Sequence, residues 1–433
     1  MIITMNEQKK LKERLKTLAV VGLALCSMVL LYLNLFASGF TSVGGISRLI
    51  DNIFGKNQPQ IILQSEQYLP RQISLNYDSS RYVPPYNTID MTTLFEKSRP
   101  VLAQAVSSAS GFVPIDQEAW RAALLSKGIY VDLGASLPFD LAAHFTGGVQ
   151  KNQDFTVQHI ILAQTGQDGF NLYVKGPEQL ARTSVRPDKD MFLALFDQFP
   201  KANARLMFDS PQAQTVVAPE FLYFSSPPKM YSLTAKNPLE NEDIVKNILD
   251  KFDIGKLNTS QYPETGGTVY VEGMATLTVY NRGEILYKDP DTQFVSPTFA
   301  ISKPNELSGR SAAIVKAYEF VLSVVDAADP DIGLGIRDFY YQGDQLVVLI
   351  GYNVGGVPVD IGEAGYCARV KLNNEKITEV YIKLKGYEIS HQENFIMSGS
   401  MAAAAATGHG KERVALRYKD TGDEMVSAGW YYG

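Results

Sequence analysis

Twenty consecutive residues without a charge, Thr17 to Phe36, constrain this chain more than any other feature of its sequence. A helix rising about 1.5 Å per residue crosses the ~30 Å hydrocarbon layer of a bilayer over that length. Lys9, Lys10, Lys12, Arg14 and Lys16 precede the run against Glu7 and Glu13, whereas the first basic residue after it is Arg48. That step in charge places the N-terminus in the cytoplasm and the bulk of the chain outside. A cleaved signal peptide has a shorter apolar core, about 7–15 residues, and small residues at the cleavage point. This chain offers Leu35-Phe36-Ala37 there instead. The bulky Leu25 before Cys26 argues against a lipid-modified cysteine. The segment therefore reads as one N-terminal transmembrane helix of a single-pass protein of the cell membrane.

The formal net charge is −6, of which the first sixteen residues contribute +3, so the outer portion carries −9. An acidic outer portion with no Lys/Arg stripe excludes a nucleic-acid partner, which requires a basic footprint. Of the two cysteines, Cys26 falls within the span and Cys367 outside it, so no disulfide can staple the outer part and its cores must hold it. Cys367 alternates with polar neighbours and reads as a strand-core residue.

With 433 residues the chain has room for several domains. Residues 1–16 form a basic cytoplasmic tail, 17–36 the span, and 37–65 a Gly/Ser-bearing, then Gln/Ile-rich spacer. A first α+β domain is expected over 66–220, a middle helix-hairpin domain over 221–305, and a C-terminal α+β domain over 306–433. Helical spacing runs through 90–106, 116–126, 191–199, 241–252 and 310–326. Pro100 should kink or divide the first of these. Hairpins are expected over 159–175 and over 268–288, where Asn281-Arg282-Gly283 supplies a tight turn. After the helix at 310–326, alternating strands follow one another to residue 384. The fold class is α+β: antiparallel sheets with packed helices, without parallel βαβ units. One internal echo stands out: Tyr270-Val271-Glu272-Gly273 and Tyr340-Tyr341-Gln342-Gly343 fit either a repeated helix-then-hairpin unit or chance.

Catalytic patterns do not emerge. His144, His159, His391 and His409 stand apart from one another and from any cysteine or paired carboxylate at ligand spacing. Ser226-Pro227-Pro228-Lys229 has the spacing of serine acyl-transfer enzymes, but its prolines forbid the helical turn that chemistry needs. Ser398-Gly399-Ser400 lacks the flanking glycines of a nucleophile elbow. The acids at 326–331 and 289–291 lack the ligand alternation and closing glutamate of a calcium loop. No catalytic, cofactor-binding or metal-binding residue is assigned. In the span, Ala19, Gly22 and Cys26 offer a small-residue strip for close helix packing or simply face lipid; Asn34 can hydrogen-bond a neighbouring helix or meet headgroups.

Several stretches resemble a known family. Glu13-Arg14-Leu15-Lys16-Thr17-Leu18 running into Ser27-Met28-Val29-Leu30-Leu31-Tyr32-Leu33 is similar to the start of the YycH family. Glu118-Ala119-Trp120 to Ile129 and Leu137-Pro138-Phe139-Asp140 resemble its first extracellular domain, and Tyr270 to Pro290 its middle domain. The helix from Arg310, Val414-Ala415-Leu416-Arg417-Tyr418 and Trp430 resemble its last domain, shared with the YycI family. The resemblance implies a membrane-anchored, non-catalytic regulator of the WalK (YycG) cell-wall sensor histidine kinase. It would work without cofactors, through a YycI-like partner, the kinase and the membrane. It leaves the sign of regulation open. An anchored ligand- or peptidoglycan-binding module is the alternative, and an extracytoplasmic hydrolase assembled only in three dimensions is a third.

Overall fold

The computed structural model describes residues 68–433 apart from 79, 87, 150–152, 200–202, 210–216, 228, 256–258, 291–295, 302–306, 330–331, 374 and 433. The tail, span and spacer expected over 1–65 lie outside the described residues. No helix among the described residues is long and apolar enough to cross a membrane.

The first part of the described chain runs β1 (Gln72–Tyr77), β2 (Ser80–Tyr82), α1 (Thr88–Ser108), β3 (Val113–Pro114), α2 (Gln117–Leu125), β4 (Gly128–Pro138) and α3 (Phe139–Phe145). It continues through β5 (Thr156–Thr165), β6 (Gly169–Lys175), β7 (Leu180–Val185), α4 (Lys189–Gln198), β8 (Ala204–Leu206) and β9 (Leu222–Phe224). These strands form one antiparallel sheet in the order β3-β7-β6-β5-β4-β1-β2-β8-β9. Its two faces follow from strand alternation. Ile129, Val131 and Leu133 of β4 join the main core with Leu94, Phe95 and Leu102 of α1 and Phe192 and Phe196 of α4. Tyr130 points the other way, into a separate cluster with Trp120 and Leu124 of α2, Ile161 and Tyr173. Asp116 starts α2 by accepting from the Ala119 amide, and Asp188 starts α4 by accepting from Met191.

The rest of the chain runs β10 (Met230–Lys236), α5 (Glu242–Lys251), β11 (Ser260–Glu264), β12 (Gly267–Glu272), β13 (Ala275–Tyr280), β14 (Glu284–Lys288) and α6 (Gly309–Asp326). Then come β15 (Gly333–Gln342), β16 (Gln345–Val354), β17 (Val357–Ile361), β18 (Ala368–Leu372) and β19 (Ile377–Lys383). The last elements are β20 (Gly386–Asn394), α7 (Gly399–Gly408), β21 (Val414–Asp420) and β22 (Met425–Tyr432). They build a second sheet in the order β11-β12-β13-β14-β19-β18-β16-β17-β21-β22-β10-β20, with β15 on the far edge of β16. Its pairings are antiparallel except β17 with β21, which run parallel without forming a βαβ unit. Helix α6, capped by Ser308, buries Ile314, Ala317, Val321 and Val324 against β15, β16 and β18, with α5 beside it. Each such Ile or Val side chain contributes roughly 1.5–3 kcal/mol on burial. β15 also packs on β4, so the two sheets meet along it.

Two expectations change on this view. Pro100 does not divide α1, which is one helix from Thr88 to Ser108. Pro100 is exposed, and Phe95 before it and Val101 after it are buried, so core packing holds both halves in one helix. The echo motifs take equivalent places: each ends the first strand of a hairpin closed by a two-residue turn, Glu272 facing Ala275 and Gln342 facing Gln345. The turns start at Gly273 and Gly343, with φ of 63° and 62°. Glycine takes that conformation without strain.

Candidate functional site

Ala19, Gly22, Cys26 and Asn34 lie outside the described residues. Among the residues singled out within them, Cys367 is fully buried, and burial pushes its thiol up to about 12 despite the nearby Arg337, so it stays protonated. His391 is on β20, and His409 follows α7. Asp289 forms an ion pair with the buried Lys376 at 2.7 Å. No group of three or more His, Cys, Asp or Glu suited to a metal occurs among the described residues.

His159 is the one histidine brought into a polar constellation. On the α2-covered face of the first sheet, Asp132 of β4, His159 of β5 and Lys175 of β6 stand directly opposite one another. Arg71 donates through Nε to Asp132 Oδ2 at 3.0 Å and also through Nη2, while the Gly134 amide donates to Oδ1 at 2.8 Å. Burial alone would raise the Asp132 carboxyl, but Arg71, His159 and these hydrogen bonds leave it below the usual range. His159 Nδ1 lies 3.8 Å from Asp132 Oδ1 and 3.0 Å from the Tyr130 hydroxyl. Burial, reinforced by Asp132 and Glu220, keeps the Tyr130 phenol protonated. It therefore fits as donor to a neutral His159. At the far end, Lys175 Nζ meets Glu220 Oε1 at 2.5 Å, and the buried Trp120 indole donates to the same oxygen.

This row is closed. The Asp132 and Glu220 side chains are 3% and 6% exposed, and each has a cationic partner. The chemistry of the row is charge neutralisation inside the fold. The sequence did hint at it, since Asp132 interrupts the apolar run Ile129-Tyr130-Val131-Asp132-Leu133. Its partners were not legible, because Arg71, His159 and Glu220 come from separate segments.

The outer surface offers contact groups instead. Phe395 is 97% exposed, and Met397 and Met401 after it are 37% and 62% exposed, all between β20 and the first turn of α7. The Trp430 indole pins this segment by donating to the Met397 carbonyl at 2.9 Å. Exposed apolar side chains grouped on an anchored segment mark a surface suited to protein contact.

No family model matches the chain, and no curated protein matches its sequence. Among solved structures, the chain is similar to the crystal structure of YycH from Bacillus subtilis. The two are 14% identical with a TM-score of 0.50, over 86% of this chain and 96% of that one. At that identity the likeness is one of fold.

Proposed function

We propose that this chain is a membrane-anchored regulator of a two-component sensor histidine kinase, acting by contact and without catalysis. The fold it shares with YycH over 86% of its length is the observation that carries the reading. The family resemblance of its sequence supports the same role and adds a YycI-like partner and the cell membrane. In this reading residues 17–36 cross the bilayer with the basic tail inside, and the folded part lies outside.

Such a protein regulates by binding one conformational state of the kinase better than the other. Two sets of contacts supply the difference. In the bilayer, Ala19, Gly22 and Cys26 let a partner helix approach closely, and Asn34 adds a polar contact. Outside, the segment from Phe395 to Met401 presents its apolar side chains. A coupling of about 1–3 kcal/mol changes an equilibrium roughly 5- to 150-fold.

The test replaces residues 17–36 with an unrelated apolar helix of equal length and measures kinase output in cells. Altered signalling with normal protein levels is expected. Unchanged signalling removes the span from the mechanism.

A further inference from the structure

Arg337 sits where β15 slips one residue against β16, between the pairs Ile336–Ile350 and Asp338–Leu349. A bulge of this kind re-aims the extra side chain. The guanidinium lies over Gly351 of β16, where any Cβ would overlap its Nε. Nη2 donates to the Tyr352 carbonyl at 2.5 Å and to Asn353 Oδ1 at 3.2 Å. Nε is buried without a hydrogen-bond partner. The group is thus held firmly by one edge.

The charges around it do not balance. Asp360 is taken by Arg417 at 2.9 Å, and Asp132 is taken by Arg71. Arg337 has no carboxylate of its own among the described residues. Burial above all, opposed by Asp360 and reinforced by Arg417 and Arg71, pulls its pKa down to about 10, so it stays charged at neutral pH. Three neighbouring guanidiniums face two carboxylates. The Arg71 and Arg417 side chains remain 33% and 36% exposed, and Arg337 is half-buried, so solvent reaches the cluster. Arg417 has a buried, unpartnered Nε of its own. A half-buried positive charge without a counter-charge costs free energy that a bound anion offsets.

We propose that Arg337, flanked by Arg417 and Arg71, binds an oxyanion, the singly charged carboxylate or phosphate group of a small ligand, over the run of strands β15-β16-β17-β21. The planar guanidinium fork matches carboxylate and phosphate oxygens. With Nη2 fixed on the backbone of β16, Nη1 is the donor left for the ligand. The single excess charge selects one anionic group. The site is independent of kinase regulation, so its failure leaves the outcome of the span exchange untouched.

The test uses the full chain in detergent micelles and follows its thermal midpoint by tryptophan fluorescence. Inorganic phosphate, acetate and dihexanoyl phosphatidic acid are titrated against sodium chloride at equal ionic strength. A saturable rise with at least one probe is expected, and the tightest probe distinguishes a free phosphate, a carboxylate or a lipid headgroup. In Arg337→Gln the apparent affinity should fall on the order of tenfold to a hundredfold, the loss of a charge-assisted hydrogen bond. Arg337→Lys should retain part of the response. Gly351→Ala, which dislodges the guanidinium without changing charge, should lose most of it and gives a second reading should Arg337→Gln not fold. The proposal is overturned if no probe exceeds chloride, or if Arg337→Gln responds as the parent does.

Discussion

Burial holds the His159 imidazole below its ordinary pKa, although Asp132 and Glu220 pull it up while Arg71 and Lys175 add to the lowering. In the unfolded chain it titrates near 6.5. Between the lowered folded value and that one, the unfolded state binds more protons, so stability falls as pH drops through this window. Asp132, whose folded pKa is also lowered, keeps its contribution until pH falls further, through that folded value. We therefore expect the thermal midpoint to fall between about pH 7 and about pH 5, and His159→Gln to flatten that slope. An equal slope in the variant would remove His159 as the cause. Trp120, fully buried and bonded to Glu220, is the neighbouring test of packing. Trp120→Ala should cost about 3–5 kcal/mol in denaturant unfolding. Trp120 falls within the helical spacing expected over 116–126, but its tie to Glu220 depends on a loop folding back over α2.

Among the elements, α1 carries an unfavourable proline that its packing tolerates. Pro100 is exposed and removes one backbone hydrogen bond, so Pro100→Ala should stabilise the protein by up to about 3 kcal/mol. An unchanged unfolding midpoint would mean that the helix has already relaxed around the ring. Helix α6, besides its Ser308 cap, gains an N-terminal partner from outside itself. Asp140 at the start of α3 accepts from the Ser308 amide at 2.8 Å and from the Ser311 hydroxyl at 2.6 Å, and Asp140 is buried. An acid at a helix N-terminus satisfies orphan amides and favours the dipole. Asp140→Ala should destabilise by about 1–3 kcal/mol, because it strands the buried Ser311 hydroxyl. The Leu137-Pro138-Phe139-Asp140 stretch resembles the family's first domain in sequence, and the packed structure supplies its physical role as a tie between the two sheet layers.

For the whole molecule, the regulation by contact proposed above would demand a surface as well as an anchor. Phe395→Ser should weaken co-purification of the kinase with the full chain while leaving the unfolding midpoint within about 0.5 kcal/mol, as exposed substitutions do. Equal recovery of the kinase would take this segment out of the interface. The α+β class, the principal helices and several hairpins of the described chain were legible in the sequence, because helix caps, apolar periodicity and turn residues act over a few positions. The uncharged run from Thr17 to Phe36 with its basic collar lies outside the described residues. Strand order was not legible. β10 inserts between β20 and β22, and β21 runs parallel to β17, pairings between distant segments that leave no local mark. Nor was the arginine cluster, since Arg337 is re-aimed by a slip in register and comes under the charge of Arg417 and Arg71 only once both sheets have formed. Local patterns determine which segments become helix or strand; only the closed packing of those segments decides which charges lack a partner.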